Sequence, residues 1–384
     1  MKKKAWGYIA KAVTLMLFGG AVAVQAEVQE VKIGFAAPLT EAQANYGKDM
    51  QNGVILAIEE MNATKVHIGG KEVKFVLISA DDRADPKTAT MVAQKLVDGG
   101  IKGMLGHFNS GTSIPASRIY SQAGIPQISM ATAPEYTQQG QKTAFRMMTS
   151  DAQQGQVVGT FVVKNLGYKD IAIIDDRTAY GQGLADEFEK SVKAAGGKIV
   201  RREFTSDKSV DFKAILTTLK HLKPQVVFYG GAQGQSAPLV KQMRELGMTS
   251  VFVSGEMSKT DKFIKLAGRR AAEGVVVSLA GLPLEKMPGG RVYKEKYEKR
   301  FGMPVELYSP YAYDGTKALL LAMQKANSIE PAKYLPILAE THMLHGVTSN
   351  NIGYDAKGDL KDSSITLYTV KGGTWTVLES VIAK

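Results

Sequence analysis

The feature that most constrains the fold of this chain is an alternation of short apolar runs with helical patterns. The alternation begins near residue 31 and begins again near residue 151. Runs such as VKIGFAAPL and DIAIIDD are typical of buried strands, and a segment with helical periodicity follows each of them. Strands that alternate with helices predict βαβ units and a parallel sheet. We therefore expect two α/β halves.

The connection between the halves carries no low-complexity linker. A single flexible tether would be rich in Gly, Ser or Pro. Its absence favours two lobes with a cleft between them, joined by more than one crossing of the chain. The chain ends in two alternating runs, SITLYTV and TWTVLE, joined by Lys371-Gly372-Gly373, which predict a β-hairpin.

The first 26 residues have the pattern of a secretory signal peptide. Three lysines follow Met1, an apolar core covers residues 13–24, and Val24-Gln25-Ala26 predicts cleavage after Ala26. The apolar run is too short for a membrane span of about 20 residues. Because the chain has no cysteine, we expect neither a lipid anchor nor disulfides, and we predict a periplasmic protein.

The length and the charge of the chain limit its domain number and its possible partners. A chain of 384 residues is too long for one core and suggests two domains. The formal net charge is +11, which permits anionic partners. The lysines are scattered without interleaved aromatic residues in an exported chain, so we expect no nucleic-acid binding.

Polar residues follow several predicted strands, where parallel sheets place their ligands. Asn109, Ser110, Gly111, Thr112 and Ser113 come before a helix predicted over 114–123. Such residues can cap the helix. They can equally form an anion cradle, because hydroxyls, free N–H groups and the positive helix end converge there.

Other strand ends carry further candidates for binding. Met130-Ala131-Thr132 adds a second hydroxyl that would suit a carboxylate. Glu256 ends an apolar run and either binds a cation or is solvated. Tyr46 and Tyr180 each precede a glycine, and either cover a ligand or shield a turn.

Motifs for catalysis are weak. Ser110 lacks the flanking glycines of a nucleophile elbow, and AYGQGLAD lacks the third glycine of a dinucleotide site. Asp81, Asp82 and Asp85 could hold calcium, but Asp85-Pro86 first predicts a helix N-cap. We expect no enzyme, no metal and no cofactor; a secreted hydrolase that uses His107 or Asp81 is the remaining catalytic alternative.

Taken together, the motifs resemble those of the periplasmic substrate-binding proteins of branched-chain amino-acid ABC transporters. The stretches that carry the resemblance are IGFAAPLTEAQANYGKDMQNGVILAIEEMN, ISMATAPEYT, DDRTAYGQGLADEF, VVFYGGAQGQSAPLVKQMRELG, SGEM and YAYDGTKAL. They occur in the family's order and cover nearly the whole chain after residue 26.

The resemblance implies a type I periplasmic binding protein, an α/β fold of two Rossmann-like lobes with parallel-sheet cores and a three-segment hinge. Lobe 1 would comprise residues 27–150 and 280–362, and lobe 2 residues 151–279 and 363–384. Its implied partners are a small-molecule ligand, namely an amino acid, and an inner-membrane ABC permease; the protein itself would be a monomer.

The resemblance also implies roles for individual residues. Ser110 stands where the family binds the ligand's α-carboxylate, and Thr132 where a second hydroxyl reaches the carboxylate or ammonium, with the Met130 backbone alongside. Glu256 stands where an acid pairs with the α-ammonium. Tyr46 and Tyr180 stand beside the side-chain pocket.

Three positions depart from the family pattern. Ala232 replaces an aromatic residue that leucine binders tend to have, Asn109 precedes Ser110, and Met130 replaces a small residue. These changes alter the walls of the pocket and add polarity. The alternative is therefore a binding protein of the same fold for an aromatic carboxylate or a small amide, in which Glu256 would be idle.

Overall fold

The structure is a computed structural model that describes residue 1 and residues 28–383. The predicted signal peptide and its cleavage site after Ala26 lie outside the described residues, apart from residue 1, and stay predictions. Among the helices of the described residues, none is long and apolar enough to cross a membrane.

The described residues form fifteen strands and thirteen α-helices. The strands are β1 (Gln29–Ala37), β2 (His67–Ile68), β3 (Lys71–Asp81), β4 (Met104–Gly106), β5 (Gln127–Ser129), β6 (Ala144–Arg146), β7 (Asp170–Asp175), β8 (Lys198–Phe204), β9 (Val226–Gly230), β10 (Val251–Ser254), β11 (Val276–Leu279), β12 (Met343–Leu344), β13 (Asn351–Ile352), β14 (Ser363–Lys371) and β15 (Thr374–Ala383). The helices are α1 (Ala44–Ala63), α2 (Pro86–Asp98), α3 (Ser110–Gln122), α4 (Glu135–Gln138), α5 (Asp151–Thr160), α6 (Ala179–Ala194), α7 (Lys213–Leu222), α8 (Gln233–Glu245), α9 (Asp261–Ala267), α10 (Arg269–Ala272), α11 (Gly290–Phe301), α12 (Ser309–Lys325) and α13 (Pro331–Ala339). Short 3₁₀ turns lie at Glu41–Gln43, Glu256–Ser258 and Leu284–Lys286, and a π-helical turn at Phe161–Asn165 extends α5.

Two sheets organise the molecule. The first has the strand order β2-β3-β1-β4-β5-β6, and its neighbours are parallel except for β2 with β3. The second has the order β15-β14-β11-β10-β9-β7-β8, with β11 to β8 parallel and β14 antiparallel to both its neighbours. The prediction of an α/β protein with two parallel-sheet lobes is confirmed.

The chain passes between the two sheets three times. It leaves the first sheet after β6, and it leaves the second after β11 for α11 and α12, which pack on α1. It returns to the second sheet at β14. This agrees with the expected lack of a single tether, while the residue boundaries predicted for the two lobes stay a prediction.

Local signals account for several element ends. Asp85 caps α2 by accepting a hydrogen bond of 2.7 Å from the Thr88 N–H, with Pro86 in the first turn, as predicted. The hairpin between β14 and β15 is also confirmed. Gly372 and Gly373 both have positive φ values, of 60° and 77°, which a tight hairpin turn favours.

Three helices begin four residues earlier than the periodicity predicts. We expected helices over 48–61, 114–123 and 183–195, and α1, α3 and α6 begin at residues 44, 110 and 179. The first turn of each helix contains glycine and polar residues instead of an apolar stripe. Apolar periodicity therefore starts one turn late, and Tyr46, Ser110 and Tyr180 lie in first turns of helices.

Candidate functional site

The hydroxyl groups that follow β4 have different hydrogen-bond partners in the structure. Thr112 donates to the Asn109 carbonyl at 2.9 Å, and the Ser113 and Ser129 hydroxyls are 2.9 Å apart. Ser110 Oγ accepts the Ala133 N–H at 3.2 Å and is buried. All three hydroxyls therefore bond within the protein, and the anion cradle, one of the two interpretations left open, stays a prediction.

The segment after β5 packs against Ser110. Met130, Ala131 and Thr132 are each no more than 3% exposed. Their backbone is held by Arg146, which is fully buried and donates to the carbonyls of Ala131 and Ala133. Thr132 is tied to the start of α5, because its carbonyl accepts the backbone N–H of Asp151 at 2.8 Å.

Asp151 is a site residue that the sequence analysis missed. Its side chain is fully buried, and neither carboxylate oxygen has a well-aligned hydrogen bond among the described residues, although the Thr132 side chain lies near enough to favour the ionised carboxylate. Burial, together with the negative charge of Glu256, raises the pKa of Asp151 well above its usual range. An acid in the first turn of a helix is ordinarily explained by the helix dipole, so the sequence had no signal that set it apart.

Glu256 is the second buried carboxylate. It is 3% exposed and follows β10, and burial raises its pKa. Its Oε2 accepts hydrogen bonds from Gln154 Nε2 at 2.7 Å and from the Tyr180 hydroxyl at 3.0 Å. Gln154, which the sequence analysis also missed, is oriented by the hydroxyl of Ser278. The prediction that Glu256 is solvated, one of the two left open, is wrong.

Aromatic rings form one wall beside these carboxylates. Tyr46 packs against Phe108 and Tyr308, with ring centroids 5.5 Å away in both cases, and the Phe108 and Tyr308 centroids are 4.7 Å apart. The Tyr308 hydroxyl is buried and has no partner among the described residues. Burial and the charge of Glu256 raise the pKa of Tyr308. Phe108 and Tyr308 were not predicted, because one lies in a strand-end loop and the other 200 residues away in sequence.

The two sheets meet around this group of residues. The Tyr46 hydroxyl, on α1, donates to the Met257 carbonyl beside Glu256 at 2.7 Å. Helix α3 contacts helix α6, and a Cβ placed on Gly111 would be 4.0 Å from the Cβ of Ala179. The lobes are therefore closed on each other.

A cavity of about 440 Å³ lies between residues 38–43 and 83–88 on the first-sheet side and residues 207–208 and 232–235 on the other. Ala232 lines it. Asn109 reaches it through Gln43, because Asn109 Nδ2 donates to Gln43 Oε1 at 2.7 Å. That Asn109 and Ala232 alter the walls of the ligand pocket and add polarity stays a prediction.

The residues considered for catalysis, His107 and Asp81, form hydrogen bonds within the protein. His107 is fully buried, with Nδ1 2.7 Å from Asp82 and Nε2 3.1 Å from the Tyr120 hydroxyl. Asp81 accepts the N–H groups of Leu39 and Arg83, both at 2.9 Å. Within the described part of the chain, no three metal-binding side chains converge on one point.

These features define a class of protein. Two α/β lobes joined by three chain segments close over a buried group of hydroxyls, carboxylates and aromatic rings, which is the arrangement of a two-lobed solute-binding protein. The chain belongs to the periplasmic binding protein family, whose sequence pattern it matches over residues 30–374. Members of this family are solute-binding proteins and not enzymes, which confirms the prediction from the sequence.

Individual relatives are similar over most of their length. The chain is 33% identical over 374 residues to Leu/Ile/Val-binding protein homolog 1 of Brucella abortus, covering 97% of each chain. It is 36% identical to an amino acid binding protein of Pseudomonas aeruginosa, over 88% of this chain and 90% of the other. Among solved structures, a leucine binding protein of Thermotoga maritima has a TM-score of 0.83 and 26% identity, over 91% of this chain and 98% of that one.

Proposed function

We propose that the cleft binds an α-amino acid as a zwitterion and that the protein is the substrate-binding component of an ABC importer. The observation that carries the proposal is the pair Asp151 and Glu256. Both carboxylates are buried, the negative charge of Glu256 raises the pKa of Asp151, and neither oxygen of Asp151 has a well-aligned hydrogen bond among the described residues. Burying such charges is costly unless a cation pairs with them. A ligand ammonium supplies that cation.

The α-carboxylate of the ligand would lie at the opposite end of this group. Ser110 offers a hydroxyl there in the first turn of α3, where backbone N–H groups are free, while the Thr132 side chain lies beside Asp151 and would serve the ammonium end. Tyr180 would act mainly by orienting Glu256, to which its hydroxyl is bonded. Tyr46 and the Met130 and Ala131 segment would form walls around the ligand.

The alternative ligands fit less well. An aromatic carboxylate brings a third negative charge into a site that already buries two carboxylates. A small neutral amide leaves both uncompensated. The relatives named above are, by their own names, binders of amino acids, including the branched-chain ones.

Transport then depends on closure. We propose that the ligand first binds one open lobe and that contacts such as the Tyr46 to Met257 hydrogen bond form when the second lobe closes. The proposed lobes are residues 27–150 with 280–362 and residues 151–279 with 363–384. The closed protein would work in the periplasm as a monomer and dock on an inner-membrane permease.

The test is calorimetric titration of the purified protein with the twenty amino acids, benzoate and acetamide, supported by thermal unfolding. A ligand that binds only the folded state raises the melting temperature by mass action. Binding of an amino acid that weakens in both Asp151→Asn and Glu256→Gln supports the proposal. Binding of benzoate or acetamide with no amino acid bound would overturn it.

A further inference from the structure

The cavity beside the proposed head-group site contains amide groups whose hydrogen bonding is incomplete. Gln233, at the first turn of α8, is 2% exposed and lines the cavity. The Thr260 hydroxyl bonds to its Oε1, which leaves Nε2 without a partner among the described residues. A buried donor in this condition costs free energy unless another molecule accepts from it.

The other wall presents the complementary group. Asn109 Nδ2 donates to Gln43 Oε1, and Asn109 Oδ1 is inaccessible to solvent and has no partner in the described structure. The cavity wall thus carries an unpaired buried donor on Gln233 and, behind Gln43, an unpaired buried acceptor on Asn109, and both would turn toward a ligand in order to bond with it.

The segments that line this cavity continue along the chain into the proposed head-group site. Asn109 immediately precedes Ser110. Ala232 and Gln233 follow β9, whose parallel neighbour β10 leads to Glu256. A ligand held at its head group by Ser110 and Glu256 would therefore extend its side chain toward these amides.

Charged side chains line the edge of the cavity, namely Glu41, Arg83, Asp85, Asp207 and Lys208. Arg83 pairs with Glu41. Hydrogen bonds from Thr88, and to a smaller extent the positive charge of Lys208, lower the pKa of Asp85. The unpaired amides call for a hydrogen-bonding group on the ligand.

We infer that this protein selects amino acids whose side chain ends in a neutral hydrogen-bonding group, a hydroxyl or a carboxamide, over branched aliphatic ones. Gln233 and Asn109 are the specificity-determining residues. The inference rests on the proposed function, since it assumes an amino-acid head group. A site built to hydrogen-bond a polar group discriminates against the apolar isostere, because its own groups then stay unpaired.

Two pairs of nearly isosteric ligands test this with the unaltered protein: threonine against valine, and asparagine against leucine. Titration calorimetry should give affinities for threonine or asparagine about tenfold or more above those for the apolar partner. In the variant Gln233→Met this preference should shrink to less than about threefold, and Asn109→Leu should act in the same direction. Gln94→Met, at an exposed position on α2, is the matched control and should leave the ratios unchanged.

The outcomes separate the two proposals. Valine and leucine binding as tightly as threonine and asparagine would overturn this inference and leave the proposed function standing. Binding of no amino acid would overturn both. Persistence of the polar preference in both variants would remove Gln233 and Asn109 as its cause.

Discussion

The hydroxyl of Tyr46 donates a hydrogen bond of 2.7 Å to the backbone carbonyl of Met257. These residues are 211 positions apart and belong to elements of different sheets. The bond therefore exists only when the lobes are closed, and it lies beside Glu256. Closure and ligand binding share this contact.

Tyr46→Phe tests that relationship, because it removes the hydroxyl and keeps the ring packed on Phe108 and Tyr308. We expect ligand affinity to fall by about 0.5–1.5 kcal/mol, mainly through faster dissociation, since one hydrogen bond of the closed state is lost. Stopped-flow dissociation of the bound amino acid measures this. Tyr168→Phe, a partly exposed tyrosine away from the cleft, is the control. An unchanged dissociation rate in Tyr46→Phe would contradict the assignment of this bond to closure.

Removing either buried carboxylate charge should weaken amino-acid binding strongly. For Glu256→Ala or Asp151→Asn we expect a loss of roughly 3–5 kcal/mol, because the ligand ammonium is left without one of its partners in a buried site. Titration calorimetry at pH 7 measures the loss. Glu245→Gln, at an exposed position, should bind as the unaltered protein does. If Glu256→Ala alone bound normally, Glu256 would be idle and a ligand without an ammonium group would be favoured.

The hydroxyl of Ser110 should contribute to ligand affinity, and that of Ser113 to the stability of the folded protein. Ser110→Ala is expected to cost about 1–3 kcal/mol of affinity, because it removes a buried hydrogen-bonding group from the ligand carboxylate. Ser113→Ala breaks the contact with Ser129 and should instead lower the free energy of unfolding by about 0.5–1.5 kcal/mol, with affinity nearly unchanged. Urea unfolding and calorimetry on both variants distinguish the two effects. Equal losses of affinity would show that the cluster works as a whole.

The raised pKa values of Asp151 and Glu256 predict how stability depends on pH. Burial raises both, and a carboxyl whose pKa is higher in the folded protein binds more protons there than in the unfolded chain. The contribution of such a carboxyl to the free energy of unfolding is complete at pH values below its pKa in the unfolded chain, which is about 4. This contribution is lost as the pH rises through its pKa in the folded protein. Between pH 5 and pH 7, the melting temperature of the ligand-free protein should therefore fall relative to that of the double variant Asp151→Asn/Glu256→Gln.

Thermal unfolding between pH 4.5 and 8 checks this difference. Burial also raises the pKa of Asp314 to about 6, but this residue is present in both proteins and its effect cancels in the comparison. An amino-acid ligand should reverse the trend, because its ammonium favours the ionised carboxylates and binding then tightens as the pH rises. If the melting temperatures of the two ligand-free proteins changed with pH in parallel, the prediction would be contradicted.

Local patterns in the sequence were sufficient for the fold class, and they indicated candidate positions for the site. Apolar runs and helical periodicity depend on neighbours a few residues apart, so they predict parallel α/β halves without knowledge of the tertiary structure. Polar residues at the ends of the predicted strands then indicated Ser110, Thr132 and Glu256. The same reasoning placed three helix starts one turn late, because first turns at the cleft have no apolar stripe to detect.

Only the tertiary structure decided which of these side chains meet. Ser110, Thr112 and Ser113 stand together in sequence, yet their hydroxyls have three different partners, the Ala133 N–H, the Asn109 carbonyl and Ser129. Asp151 looks like an ordinary helix-start acid until folding buries it beside Glu256. Gln154 and Glu256 are 102 positions apart and are joined by a hydrogen bond. Long-range packing sets burial, and burial determines whether a polar group is solvated or left to bind a ligand.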